Sequence, residues 1–130
     1  MRRHRWAWPL LLVVVSGMTL AAGSWMDREA RLRVSLVDRE TVGAPLTAGG
    51  QAATGRVIDE VRWRFRLPPG SAVTVRLCHP EGCVPLSGQR GMTRALAGLA
   101  ADDPLRFRFA LKAGQSPLTV EGLQVIVNYR

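Results

Sequence analysis

Cys78 and Cys83 are the side chains of this sequence best suited to chemistry, and His79 stands beside the first of them. Three chemistries are open to such a trio: a structural disulfide, a thiol–disulfide exchange site, or a metal site. The two cysteines bracket His79-Pro80-Glu81-Gly82, whose Pro and Gly signal a tight turn. The flanks, Val73 to Leu77 and Val84 to Leu86, are apolar and β-branched enough to be strands. Two sulfurs across the neck of a hairpin predict a structural disulfide if the chain folds in an oxidising compartment. Exchange catalysis ordinarily places two residues between its cysteines at a helix start, and here four intervene within a hairpin. A zinc site would have only Cys78, His79 and Cys83 as nearby donors, with Cys78 and His79 pointing to opposite faces of a strand. No metal or cofactor is expected.

Little else could carry a reaction. The other histidine, His4, lies in the N-terminal segment treated next, so His79 would be the sole base for any Ser or Cys nucleophile, and it sits in the cysteine turn. The chain has no Gly-x-Ser-x-Gly elbow, no phosphate-binding glycine loop and no His-Glu-x-x-His motif. Asp59-Glu60 and Asp102-Asp103 are adjacent carboxylates, which on a strand face opposite ways and read as solvated turn or strand-entry residues. The expectation is a binding protein and not an enzyme.

The oxidising compartment is suggested by the first residues. Arg2, Arg3 and Arg5 precede an apolar run through Leu10 to Val15, and small residues follow from Thr19 to Ser24. Basic start, apolar centre and small-residue end make a secretory leader. A permanent anchor fits less well, because Pro9, Ser16 and Gly17 break a run already shorter than the roughly 20 apolar residues a span needs. Cleavage is expected after Ala21, with Gly23 as the alternative, giving a leader of residues 1–21 and a single domain of residues 22–130 in the periplasm. Loss of the three leader arginines takes the net charge from +8 to +5. All the basic residues but Lys112 are Arg, so charge by itself identifies no partner.

The elements that must position these residues are strands. Leu32, Val34 and Leu36 alternate with Arg31, Arg33 and Ser35; Val61, Trp63, Phe65 and Leu67 alternate with Arg62, Arg64 and Arg66. Pro68-Pro69-Gly70 then suits a type II turn, and Val73, Val75 and Leu77, inward against Thr74 and Arg76, predict the second arm of a hairpin. Leu105, Phe107, Phe109 and Leu111 alternate with Arg106, Arg108 and Lys112. The final strand sets Leu123, Val125, Val127 and Tyr129 against Gln124, Ile126, Asn128 and Arg130. Thr41 to Arg56 and Ser87 to Pro104 have little strand character, the latter with room for a strand or one short helix near Thr93 to Leu99. With period-two patterning throughout and no long amphipathic helix, the predicted fold is all-β: a small β-sandwich of about six to eight antiparallel strands pinned by one hairpin disulfide, with a small barrel as the alternative.

Two ladders of basic residues stand out, Arg62, Arg64 and Arg66 on one strand and Arg106 and Arg108, with Lys112, on another. The plain interpretation is solvent-facing positions on half-buried strands. The functional one sets the ladders side by side as a cationic strip for an acidic protein, lipid headgroups or lipopolysaccharide, including peripheral contact with a membrane surface. Nucleic acid suits the charge but not the compartment. The C-terminal residues Asn128, Tyr129 and Arg130 form a second candidate contact, as an exposed strand edge, unless that strand simply completes a sheet.

Particular segments carry a family resemblance. They are Ala22-Gly23-Ser24-Trp25, Val61-Arg62-Trp63-Arg64-Phe65, Val75-Arg76-Leu77-Cys78 with Cys83-Val84, Leu86-Ser87-Gly88-Gln89-Arg90-Gly91, Pro104-Leu105-Arg106-Phe107, and Gln124 through Arg130. In this order they resemble the flagellar protein FlhE family, with good coverage from Val61 onward and thin coverage between Met26 and Glu60. The resemblance implies a periplasmic, non-enzymatic β-sandwich that limits proton leakage through the flagellar type III export apparatus or regulates its secretion. Its partners would be export-apparatus or rod and basal-body proteins, met by a monomer. Two other functions stay open: a periplasmic chaperone for a rod or hook subunit, and an envelope- or carbohydrate-binding module, which would need Trp25 and Trp63 exposed.

Overall fold

The computed structural model describes residues 22–130 and Pro9; the expected leader otherwise lies outside the described residues. Eight strands follow in chain order: β1 Gly23–Val34, β2 Thr41–Val42, β3 Ile58–Arg66, β4 Val73–His79, β5 Gly82–Pro85, β6 Arg90–Thr93, β7 Arg106–Leu111 and β8 Leu118–Tyr129. They form two four-stranded antiparallel sheets, ordered β1-β8-β3-β6 and β2-β7-β4-β5. No helix occurs among the described residues. The fold is all-β, and residues 90–93 take the strand option, with turns across 95–98 where a short helix was the alternative.

Alternation explains the layering. Val61, Trp63 and Phe65 of β3 meet Val75 and Leu77 of β4 and Phe107, Phe109 and Leu111 of β7 in one buried core. At its centre Phe65 stands edge-on to Phe107 and Phe109, with ring centroids 5.9 and 5.1 Å apart. That T-shaped geometry aligns ring edges with π faces and adds to the gain from burial.

Two sequence expectations are corrected. Pro68-Pro69-Gly70 does turn, with the Ser71 amide donating to Pro68 O at 3.3 Å and Gly70 at φ +73°. The strands it joins, however, lie in opposite sheets, so the turn is a corner of the sandwich and not a hairpin loop. Leu36 is 45% exposed, because β1 ends at Val34 and the chain then leaves its sheet to reach β2.

A bulge interrupts β8 where it pairs with β3. Inward residues are Leu118 and Val120 on one side of Gly122, and Leu123, Val125, Val127 and Tyr129 on the other. The inward parity therefore switches at Glu121–Gly122, where Gly122 has φ +58° and β8 slips by one residue against β3. Glycine permits that left-handed bulge without a Cβ penalty.

Candidate functional site

Cys78 and Cys83 sit directly opposite each other on β4 and β5 and are disulfide-bonded. His79 turns the other way, into the interior, and is 3% exposed. Its Nδ1 accepts the Glu81 amide at 3.1 Å, so Nε2 carries the ring proton and donates to Ala100 O at 3.0 Å, with Asp103 Oδ2 at 3.5 Å. The two sulfurs are bonded to each other and the ring to the backbone, an arrangement that locks the hairpin to the 100–103 segment.

The outward residues of β3 begin a more open surface. Arg62, Arg64 and Arg66 are all exposed. Pairing fixes their neighbours: Arg62 lies opposite Ile126 and Met92, and Ile126 lies opposite Met26. Two residues along, Arg64 lies opposite Gln124 and Arg90, and Gln124 lies opposite Arg28. Residues directly opposite one another share a face. The outer surface of this sheet thus carries an apolar row, Met26, Ile126 and Met92 around Arg62, beside a cationic row, Arg28, Arg64 and Arg90 around Gln124. The cationic row spans three strand spacings, roughly 14 Å.

The carboxylates nearby are unevenly shared. Glu60 takes Arg62 at 3.5 Å, Arg94 at 3.8 Å and the Asn128 amide at 3.0 Å, while Glu121 lies 3.9 Å from Arg66. Arg28, Arg64 and Arg90 have no carboxylate partner among the described residues. Met26 and Met92 are 57% and 47% exposed beside them.

Arg106 and Arg108 are placed elsewhere. β7 belongs to the other sheet, so the two basic ladders lie on opposite outer faces and do not form one strip. Arg106 donates to Gly43 O at 3.2 Å, both arginines are half-buried, and neighbouring Arg76 is paired with Glu40. The C-terminal strand is also not an edge. β8 is bonded on both sides, by β1 and β3, and the Arg130 backbone exchanges two hydrogen bonds with Val57. Tyr129 is 7% exposed, and Asn128 is held by Glu60. Trp25 and Trp63 are each 7% exposed, which removes the platform a carbohydrate-binding module would require.

A model of the flagellar protein FlhE family matches residues 34–130. The chain belongs to the FlhE family. It is 36% identical over 127 residues to FlhE of Escherichia coli K12, covering 93% of this chain and 97% of that protein. FlhE of Salmonella typhimurium LT2 is 35% identical over 126 residues, covering 93% and 95%. A crystal structure of FlhE superposes with a TM-score of 0.74 at 33% identity, covering 84% of this chain and 97% of that one.

The segments on which the FlhE resemblance rested have structural work in this fold. Trp25 Nε1 donates to Ala101 O at 2.8 Å. A Cβ on Gly91 would stand 2.5 Å from the Trp63 ring, and one on Gly23 would stand 2.5 Å from the Tyr129 ring. Both glycines are thus flat seats under a cross-strand aromatic. These seats also explain which face residues sequence reasoning missed. Arg90 and Met92 flank Gly91, whose missing side chain interrupts the alternation that would have announced β6. Met26 and Arg28 lie upstream of the Leu32, Val34 and Leu36 alternation, and inward parity changes between the buried Trp25 and Val34, so that pattern does not extend back to them.

Proposed function

We infer that the chain is a periplasmic accessory protein of flagellar assembly that limits proton leakage through the type III export apparatus, or regulates secretion through it, by binding. Membership of the FlhE family carries this reading. Support comes from the N-terminal secretory pattern, from the disulfide that suits an oxidising compartment, and from a sheet face on which Arg28, Arg64 and Arg90 have no carboxylate partner among the described residues. A sandwich pinned at one hairpin can present such a face with little ordering cost on docking.

The test is physiological. In the source bacterium, deletion of the gene should make the cytoplasm acidify faster after an external acid shift, followed with a ratiometric pH reporter. Expression of the exported protein in trans should restore the wild-type rate. Equal acidification in both strains, with flagellar secretion also unchanged, would remove the proposed role.

A further inference from the structure

The outer face of the β1-β8-β3-β6 sheet has a shape as well as a charge. Over β8, β3 and β6, the side chains of Arg62, Arg64, Arg90, Met92, Gln124 and Ile126 wall a depression of about 490 Å³. One side of its mouth is cationic, through Arg64 and Arg90, and on the other the apolar Met92 and Ile126 flank Arg62. β6 is the edge strand of the sheet, so a chain can enter the depression from that side.

These features select among anionic partners. A bilayer surface is flat and gains little from a concave seat, whereas a polypeptide segment can fill one. Guanidinium groups grip carboxylates through paired hydrogen bonds, and methionine adapts to varied apolar side chains. An extended segment lying flat across the strands sends alternate side chains to opposite sides. One set would then meet the cationic row and the other the apolar row.

We propose that this face seats an extended acidic segment of a protein partner, with its carboxylates on Arg64 and Arg90 and apolar side chains against Met92 and Ile126 on either side of Arg62. The proposal rests on the binding role inferred above and adds the face and the chemistry of the partner. Within residues 22–130 the methionines are Met26 and Met92, and both project from this face. Methyl-¹³C methionine labelling therefore supplies two reporters on the site itself.

The exported protein is titrated with a peptide of alternating Glu and Leu and with a peptide of the same composition in two blocks. The alternating peptide should move both methionine methyl signals and bind more tightly than the block peptide. The double substitution Arg64→Gln/Arg90→Gln should weaken it about tenfold or more, while the charge-matched pair Arg39→Gln/Lys112→Gln, away from this face, should change it less than about twofold. All four residues are exposed, so an unchanged melting curve is the check on folding. Equal loss in both double variants, or unmoved methyl signals, overturns the site. Retention by phosphatidylglycerol vesicles that depends on Arg64 and Arg90, without peptide binding, overturns it in favour of a lipid surface. Complementation separates the two proposals. If the unaltered protein fails to restore the proton barrier, the flagellar role falls; if Arg64→Gln/Arg90→Gln restores it fully, this face falls and the role stands.

Discussion

Single residues fix the geometry at two places, the cysteine hairpin and the Glu40 carboxylate. The disulfide closes a loop with a sequence separation of 5, which restricts the unfolded chain by about 2 kcal/mol. Cys78→Ser/Cys83→Ser should therefore melt roughly 10 °C below the parent protein, with no further loss when reductant is added. Equal melting temperatures for oxidised parent and double variant would contradict a stabilising bridge. Glu40 provides the second case. Arg76 Nε donates to its Oε2 at 2.7 Å, with a further contact from Nη2 to Oε1. That hydrogen bond, opposed by some burial and aided by the charges of Arg76 and Arg108, holds the Glu40 carboxyl below its usual value of about 4.5. A folded-state value below the unfolded one adds stability that is complete above the unfolded value and is lost as the pH falls through the folded one. Glu40→Gln should accordingly lower the melting temperature at neutral pH, and the gap should close below pH 4.5. A gap independent of pH would show that charge has no part in it. The cysteine pair was legible because spacing and turn residues are local in sequence. The Glu40–Arg76 pair was not, since the partners are 36 residues apart and meet only once β2 and β4 flank β7.

Individual strands were legible wherever inward and outward residues alternate without interruption, as in β3, β7 and the second half of β8. Alternation says which side faces inward but not which strand is the neighbour. The C-terminal strand shows the difference: its pattern fits an edge and a centre equally well, and the register places it at the centre, with Tyr129 opposite both Gly23 and Ile58. Removing Asn128 to Arg130 therefore strips the ends of two ladders and a buried aromatic together. Tyr129→Ala should cost about 3–5 kcal/mol, in the range of large-to-small aromatic replacements in cores. Deletion of all three residues should abolish accumulation of folded protein, measured as loss of the soluble, protease-resistant form. A truncated protein with the parent's melting curve would mean that these pairs add nothing. The Pro68-Pro69-Gly70 connection teaches the same lesson. Its turn chemistry is local, and a type II turn can cap a hairpin or carry the chain around a corner. Only the partition of strands between sheets decides, and that depends on β8 arriving between β1 and β3 from far along the chain.

At the scale of the whole molecule, the beginning and end of the described domain are neighbours in one sheet. Gly23 opens β1 opposite Tyr129, and the Tyr129 ring lies where a side chain on Gly23 would be. This arrangement bears on where the expected leader would be cut, for which the sequence offers two candidate positions, after Ala21 or after Gly23. A cut after Ala21 leaves Gly23 in place, so the first pair of the β1–β8 ladder forms and the backbone shields one face of the Tyr129 ring. A cut after Gly23 removes that pair and makes Ser24, opposite Asn128, the first residue of the strand. The loss of a ladder pair disfavours the shorter form. N-terminal sequencing of the exported protein should therefore begin Ala-Gly-Ser-Trp. A start at Ser24 would mean that cleavage specificity outweighs strand completion, and the mature sheet would then begin one pair later than the register in β8 allows.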